Sequence, residues 1–366
     1  MIVLIFLFRW GKMGFMKNYK IRSLVILFLG LILILGFSAC APQAPTEITA
    51  TLPAGTTPTQ PEAATEPPPT VTPTPEDPVV ILLHSADADP FAKMQIQSKL
   101  EELTTNSGLQ LVIQEALSAE MMAADVKVVA GVGPGIDVNS LAASYPGVSF
   151  LAVDNPSAQP SANLTVIGDP VDDQKRRAFM AGYLAALISD DYKVAALAPA
   201  DTSSTDMILD SFVVGARFYC GLCQPKYPPY KAFPQVQSLP VGETVETYQP
   251  VLDILQANGV QVIFVHADLA SSPLLARISE MDMVAVSDQR PEITSNNYVG
   301  TVLSDPGPSL EFLWPSLLNA DQGFWKAASI TLVDLDSGLL SEGRYQYFLE
   351  MAGYLEEELV FPEIVP

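Results

Sequence analysis

The sequence predicts an α/β protein built from two doubly wound, Rossmann-like lobes that are joined by crossovers. Two observations predict this class. Apolar strand-like runs alternate with helix-like stretches, which is typical of parallel strands covered by helices on both faces. The chain beyond residue 78 is also too long for one such sheet, and it suits two lobes of about 110 to 150 residues each.

Seven strand-like runs lie in this part of the chain. Each is short, apolar and rich in Val, Ile or Leu, and amphipathic or polar stretches separate them. The runs cover residues 79–84, 109–114, 126–131, 148–153, 193–198, 260–266 and 283–287. We expect them to form the strands of the two parallel sheets.

Two helix starts carry the same signal. Asp89 and Asp169 each precede a proline, so an N-capping carboxylate is followed by a residue whose missing N–H costs no hydrogen bond. Asp172 and Asp173 fall in the first turn of the second helix, where acidic side chains complement the helix dipole. Gly182 in the same helix is predicted to permit close packing against another element.

We expect the chain to cross from the first lobe to the second near residues 189–192, where one series of strands and helices ends and another begins. The first lobe is then predicted to comprise residues 79–190 with 304–326. The second lobe is predicted to comprise residues 191–303 with 327–366.

The N-terminus is typical of an export signal. Residues 24–37 form an unbroken apolar run behind basic residues, which matches a signal peptide and is short for a membrane span. The run ends in Phe37-Ser38-Ala39-Cys40, which resembles the lipobox of bacterial lipoproteins. We therefore predict a signal peptide over residues 1–39, a lipid on Cys40 and an extracytoplasmic location. An uncleaved signal anchor is the alternative.

Residues 41–78 are predicted to be a tether. They contain 11 Pro and 10 Thr and no Lys or Arg, so they hold too little apolar surface to offset the entropy of ordering. An anchor, a spacer and a folded body in this order indicate a protein that works at the outer face of a bacterial membrane.

The charge balance excludes two classes of partner. The chain carries 41 acidic and 19 basic residues, for a net charge of −22. Such a surface repels the phosphates of nucleic acids and the headgroups of anionic lipids. We therefore expect no nucleic-acid partner, and contact with the membrane only through the lipid anchor.

Residues that would support catalysis are scarce. The only two histidines are His84 and His266, too few for a multi-histidine metal site, and GxSxG, HExxH and GxxxxGK[ST] are all absent. Each histidine is the last residue of a predicted parallel strand, where either a structural role or a role in binding is open. The sequence predicts no enzyme activity, no cofactor and no metal site.

One glycine-rich turn imitates a dinucleotide fingerprint. Residues 131–135 read Gly-Val-Gly-Pro-Gly after a predicted strand, and Asp154 ends the next strand. The third glycine falls one position early, because Ile136 occupies its expected place. The favoured interpretation is a turn that lets the backbone approach a ligand.

Cys220 and Cys223 form a Cys-x-x-Cys pair after a predicted helix. A local disulfide is the favoured interpretation, because closely spaced cysteines in exported proteins usually pair. A redox site is less favoured, since the C-terminal end of a helix disfavours a thiolate. Half of a zinc site is the third alternative.

Carboxylates cluster where predicted strands end. Because ligands of open α/β sheets bind at the carboxyl ends of the strands, we expect these groups to converge on a cleft between the lobes. Carboxylates there suit a hydroxyl-rich or amine-bearing ligand. A solvated helix cap is the alternative for Asp89. The carboxylates are Asp87, Asp89, Asp154, Asp201, Asp268 and Asp288.

Four stretches of the chain carry a resemblance to a known family: Leu141–Asp154, Phe179–Leu187, Val284–Gln289 and the loop Ser85–Phe91. They resemble the basic membrane protein family of ABC-transporter substrate-binding lipoproteins, which includes purine nucleoside receptors. The resemblance implies a type I periplasmic-binding fold that closes on a nucleoside and delivers it to an ABC permease and ATPase. The chain departs from the family pattern at Ala92, Ile208 and Ser304-Asp305.

By position, the resemblance implies that Phe91 is an aromatic wall of the ligand site and that Asp89, Asp154 and Asp288 are polar contacts. With the other strand-end residues, the candidate ligand-binding set is Ser85, Asp87, Asp89, Phe91, Asp154, Asn155, Asp201, His266, Asp288 and Gln289.

Two functional hypotheses follow. The first is a lipoprotein that captures a small polar solute, nucleoside-like above all, for an ABC importer. The second is a ligand-sensing or interaction lipoprotein on the same fold without a role in transport. A redox enzyme that uses Cys220 and Cys223 is a distant third.

Overall fold

The computed structural model describes residues 78–123, 125–200, 202–292 and 295–362, all within one of the two units into which the chain divides, Thr72–Pro366. The predicted signal peptide, Cys40, the Pro/Thr tether and Asp201 lie outside the described residues. None of the helices in the described ranges has the length and apolarity needed to cross a membrane.

The first lobe is built on a six-stranded sheet in which all neighbouring strands are parallel. Its strands are β1 (Val79–His84), β2 (Gln110–Gln114), β3 (Val126–Val132), β4 (Ser149–Val153), β5 (Leu164–Ile167) and β11 (Trp325–Lys326). They lie side by side in the order β11-β5-β4-β3-β1-β2.

The second lobe repeats this order with one change. Its strands are β6 (Val194–Pro199), β7 (Gln235–Leu239), β8 (Val262–Val265), β9 (Val284–Ser287), β10 (Tyr298–Asp305) and β12 (Ser329–Val333), in the order β12-β10-β9-β8-β6-β7. All neighbours are parallel except β10 and β12, which pair antiparallel. The predicted fold class is therefore confirmed.

Helices cover both sheets. Those of the first lobe are α1 (Pro90–Ser107), α2 (Val138–Ser144) and α7 (Gly307–Leu318), and those of the second are α3 (Pro170–Ile188), α4 (Thr205–Cys220), α5 (Val245–Ala257), α6 (Ser272–Glu280) and α8 (Glu342–Glu356). Single 3-10 turns cover Met121–Ala123 and Ala267–Leu269.

Both predicted helix starts are confirmed. The Asp89 carboxylate accepts a hydrogen bond from the Ala92 backbone N–H at 2.8 Å. The Asp169 carboxylate accepts from the N–H groups of Val171 and Asp172 at 3.0 and 2.9 Å. These caps satisfy backbone donors that the helix itself leaves unpaired.

The position of α3 corrects the predicted lobe boundary. The helix packs against α4, and its residues Phe179 and Leu184 belong to the same core as Val194 and Phe264 of the second sheet. The chain therefore crosses between lobes at Gly168-Asp169, not near residues 189–192. The apolar face of α3 predicts that the helix is buried, but that face alone does not specify which sheet it covers.

A close contact between α3 and α4 explains this placement. A Cβ atom added to Gly182 of α3 would lie 2.1 Å from the carbonyl oxygen of Phe212 in α4. A Cβ atom on Gly215 of α4 would lie 1.9 Å from the carbonyl oxygen of Phe179 in α3. The two backbones touch at these glycines, so the predicted packing role of Gly182 is confirmed.

Within the described residues, the chain crosses between the lobes three times. The crossings lie at Gly168-Asp169 before α3, at Pro306 between β10 and α7, and at Ala327-Ala328 between β11 and β12. They bring the carboxyl ends of the parallel strands of both sheets to one cavity.

Candidate functional site

The cavity between the lobes has a volume of about 470 Å³, within the range typical of small-molecule sites. Both lobes and all three of these crossings contribute to its walls. In the described part of the chain, its charged residues are four aspartates and two arginines: Asp89, Asp154, Asp173, Asp288, Arg177 and Arg290. Its apolar wall includes Phe91, Val153, Ile167 and Leu303.

The first lobe contributes Asp89 and Phe91 from the start of α1 and Asp154 from the end of β4. Phe91 is 8% exposed and lies against the cavity. Asp154 has a left-handed backbone with φ of 51°, which is uncommon outside glycine and is concentrated at functional sites. Burial raises the pKa of the Asp154 carboxyl, and the nearby charge of Asp89 raises it further.

The second lobe contributes Asp288 at the end of β9. Its carboxylate accepts a hydrogen bond from the Ala267 N–H at 2.7 Å and lies 3.5 Å from Arg177 Nε. His266 stands behind it, with Nε2 at 3.8 Å from the carboxylate. His266 Nδ1 accepts a hydrogen bond from the Asp268 N–H at 3.2 Å. The Ala267 backbone N–H and the guanidinium group of Arg177 in α3 therefore hold Asp288 in place.

The start of α3 contributes Asp173, Gln174 and Arg177. Burial raises the pKa of Asp173 to about 7, although the guanidinium groups of Arg177 and Arg176 oppose this effect. Arg177 donates to the hydroxyl of Ser304 at 3.2 Å. Asp173 Oδ1 and Arg177 Nε are both buried without a hydrogen-bond partner among the described residues.

Neither Asp173 nor Arg177 belongs to the ligand-binding set predicted from the sequence, in which Asp173 is expected only to complement the helix dipole. The helical period contains a signal that points to them. Asp173, Arg177, Met180 and Leu184 fall on one stripe of α3 at the spacing i, i+4, i+7 and i+11. A charged pair that continues a buried apolar stripe indicates a buried polar site.

Arg290 lines the cavity, but its guanidinium group is bound to Asp334, a residue outside the lining. Its Nε and Nη2 donate to the two oxygens of Asp334 at 2.9 and 2.5 Å. The Arg290 guanidinium holds the pKa of Asp334 below its usual range. Thr301 also donates to Asp334, at 3.1 Å, so this pair fixes the orientation of Arg290.

Five of the ten predicted ligand-binding residues line the cavity, and Asp201 lies outside the described residues. The five are Asp89, Phe91, Asp154, Asp288 and Gln289. Asp89 caps α1, as the alternative predicts, and it also lines the cavity. Ser85, Asp87, Asn155 and His266 are not among the lining residues.

The side chain of Asn155 is hydrogen-bonded to the backbone of the glycine-rich turn. Its Nδ2 donates to the carbonyl oxygens of Gly133 and Ile136 at 3.1 and 2.8 Å. Gly133 has a φ of +96°, and a Cβ atom there would lie 2.5 Å from Ser85 Oγ. The turn therefore approaches Ser85 closely, and neither Gly133 nor Asn155 lines the cavity.

Cys220 and Cys223 are joined by a disulfide at the end of α4, as the favoured interpretation predicts. Neither lines the cavity. Across the described ranges, no group of three or more His, Cys, Asp or Glu side chains is arranged to hold a metal ion.

Comparison with known proteins places the fold. No protein-family model and no curated protein matches the sequence. An ABC-transporter solute-binding protein from Conexibacter woesei DSM 14684 superposes with a TM-score of 0.54 at 13% identity, over 79% of this chain and 98% of that one. A transcriptional activator of the comK gene from Bacillus halodurans gives a TM-score of 0.51 at 14% identity, over 78% and 100%. The chain thus has the two-lobed α/β fold of type I periplasmic-binding proteins.

Proposed function

We propose that the protein is an extracytoplasmic solute-binding lipoprotein of an ABC importer, and that it captures a small, polar, nucleoside-like ligand between its lobes. The observation that carries the proposal is the cavity of about 470 Å³ at the carboxyl ends of both parallel sheets. Open α/β sheets bind ligands at this edge. The similarity of the fold to a solute-binding protein agrees with the proposal.

The lining chemistry supports a neutral or cationic ligand rich in hydrogen-bond donors. Four carboxylates face two arginines, and Arg290 is already paired with Asp334 outside the lining. Phe91 supplies a flat apolar surface on which a planar ring can stack. A nucleoside combines such a ring with hydroxyl donors.

We assign the ligand contacts to Asp89, Phe91, Asp154, Asp288 and Gln289. The proposed role is binding without catalysis or a cofactor. The proposed partners are the permease and ATPase of the importer, with the lipid on Cys40 holding the protein at the membrane.

A ligand-sensing lipoprotein without a transport role is the second candidate. It is favoured by one observation, the superposition on a transcriptional activator with a TM-score of 0.51, which indicates that the fold also serves regulation. Both candidates require a ligand in the cavity. They differ only in the partner that the ligand-bound protein engages.

A binding screen tests the shared part of both candidates. The full chain, purified in detergent, is heated with nucleosides, pentoses and amino acids in turn. A ligand present at 100 times its dissociation constant should raise the free energy of unfolding by about 2.7 kcal/mol. The variant Asp154→Asn should weaken binding, whereas Asp268→Asn, whose side chain is outside the lining, should not. A flat response to all three classes overturns the proposal.

Uptake separates the two candidates. If the protein serves an importer, cells that lack it should lose high-affinity uptake of labelled inosine. Cells that carry Asp154→Asn should take up labelled inosine more slowly than the wild type. Unchanged uptake in the deletion strain, with binding intact in the purified protein, favours the sensor.

A further inference from the structure

Two residues that line the cavity, Asp173 and Arg177, each contain a buried polar atom without a hydrogen-bond partner among the described residues. Asp173 Oδ1 and Arg177 Nε are each buried, and neither makes a hydrogen bond there. Asp173 is only 8% exposed. Leaving a buried polar atom unpaired costs about 1 to 3 kcal/mol, and more for a charged group, so such atoms beside a cavity call for a partner, which a ligand or a water molecule can supply.

The surroundings of Asp173 fix its position. A Cβ atom on Gly168 would lie 2.7 Å from Asp173 Oδ2, and Gly168 has a φ of +78°. The backbone at the first crossing therefore approaches the carboxylate closely, and only glycine fits there without strain. Asp173 is held against the cavity by the fold itself.

Arg177 is also held in place. It lies one turn after Asp173 on the same face of α3, at the i, i+4 spacing that makes side chains neighbours. Ser304 accepts from its Nη1 at 3.2 Å, and Asp288 lies 3.5 Å from its Nε. The guanidinium is thus oriented, yet Nε keeps a donor unused.

We propose that Asp173 and Arg177 act together as a two-point ligand contact, in which Asp173 accepts a hydrogen bond and Arg177 donates one to neighbouring atoms of the same solute. This inference rests on the proposed function and extends its site to α3. The ligand group must carry a donor next to an acceptor. Purely anionic and purely cationic groups satisfy only one of the two residues.

Two parts of a nucleoside have this chemistry. A lactam edge, as in hypoxanthine, places a ring N–H beside a carbonyl oxygen, and paired contacts of this kind are worth about 1 to 3 kcal/mol against the wrong base. The vicinal 2′,3′-diol of ribose places hydroxyl groups, which both donate and accept, side by side. The experiment distinguishes these two sources.

Isothermal calorimetry with the full chain in detergent measures the affinity for inosine in four proteins: wild type, Asp173→Asn, Arg177→Gln and Asp172→Asn. The last is a matched control, since it removes the same charge one residue away and Asp172 does not line the cavity. We expect the first two variants to bind inosine at least tenfold more weakly and the control to stay within twofold. Circular dichroism verifies that each variant is folded.

Two analogues identify the ligand group. If the lactam edge is the contact, Asp173→Asn should no longer reduce the affinity when the ligand is adenosine, which lacks this edge. The substitution should still reduce the affinity for 2′,3′-dideoxyinosine, which keeps it. If the diol is the contact, the pattern reverses. Either pattern supports the two-point contact. In both cases the effect of the substitution depends on whether the ligand carries the group in question, which is expected only if the two are in contact.

Three results overturn the inference. The first is wild-type affinity for inosine in both Asp173→Asn and Arg177→Gln, which leaves the proposed function intact. The second is a wild-type protein that binds neither inosine nor ribose, which overturns the nucleoside proposal as well. The third is stabilisation of the wild type by putrescine or sulfate alone, since putrescine offers only donors and sulfate only acceptors.

Discussion

The two lobes share a strand order but differ in the surroundings of the carboxylates that follow their strands. In the second lobe, Asp288 lies beside Arg177 and Asp334 is paired with Arg290. In the first lobe, Asp154 has a raised pKa because burial and Asp89 both disfavour its charge. The first lobe thus presents the neighbouring carboxyl groups of Asp89 and Asp154 to the cavity, whereas the second presents Asp288 beside the guanidinium group of Arg177. A ligand that bridges the lobes must therefore offer donors to one side and both kinds of group to the other.

The cores differ as well. In the first lobe, neighbouring residues of β1 point to opposite faces of the sheet, so Val80 and Leu82 join one apolar cluster and Ile81 and Leu83 another. In the second lobe a single cluster extends through the sheet and both helices α3 and α4. Packing in that lobe depends on backbone contact at two glycines, Gly182 and Gly215.

A single added methyl group should break this close packing. In Gly182→Ala, the added methyl group would meet the carbonyl oxygen of Phe212 at 2.1 Å, so α3 and α4 must separate. We expect the free energy of unfolding, measured by urea titration, to fall by about 3 kcal/mol or more. The control is Gly353→Ala in α8, where a Cβ atom has open space and the change should stabilise by about 0.5 to 1 kcal/mol. Equal stability of Gly182→Ala and wild type would contradict the packing argument.

A second prediction sharpens the electrostatic comparison. Because burial raises the pKa of Asp173 from 3.8 to about 7, the folded state binds a proton that the unfolded state has released within this pH window. The stability that this proton provides is complete below about pH 4 and is lost as the pH rises to 7 and above. Relative to Asp173→Asn, the wild type should lose on the order of 4 kcal/mol over this range, at ~1.4 kcal/mol per pKa unit.

Urea titrations of the wild type and Asp173→Asn from pH 4 to 8 measure this difference. The comparison cancels the self-repulsion of the other acidic residues, which both proteins share. Parallel pH profiles for the two proteins would show that Asp173 keeps an ordinary pKa.

The smallest expected effect concerns the pair of Arg290 and Asp334. In Asp334→Asn, the loss should be about 1 kcal/mol or less, since Arg290 is half exposed and solvent screens the pair. The pKa of Asp334 is lowered mainly by Arg290, so the contribution is present above about pH 4 and is lost as the pH falls below it.

The matched control is Asp282→Asn. Asp282 shares the left-handed backbone of Asp334, with φ of 57° against 56°, and asparagine tolerates that conformation. Only the loss in Asp334→Asn should shrink in 1 M salt. Identical behaviour of the two variants would mean that the ion pair contributes nothing.

The sequence predicts the parts of this fold that depend on strong local patterns. The apolar runs predict β1, β3, β4, β6, β8 and β9, since each is buried on both faces. It does not predict β7, whose residues Gln235 and Gln237 break the apolar run, or β5, which has only four residues. It also misplaces α3, because a helix that is buried along most of its length fits either sheet.

The candidate site also contains residues that local sequence patterns predict and residues that they do not. Asp89 and Asp154 are predictable, since each directly follows a strand or begins a helix and such positions meet at one edge of a parallel sheet. Asn155 follows Asp154 in sequence, but its side chain turns to the backbone of Gly133, and no local pattern distinguishes these two outcomes. Asp173 requires both the helical period and knowledge of which lobe α3 covers.

The three chain crossings have a practical consequence. Any change in the angle between the lobes must rotate the backbone at Gly168-Asp169, at Pro306 and at Ala327-Ala328, while the sheets remain intact. Trp325 stands two residues before the last of these, and its ring lies 5.9 Å from the guanidinium carbon of Arg176. The indole therefore sits beside a hinge and a cationic neighbour, so its fluorescence provides a built-in optical reporter of lobe movement.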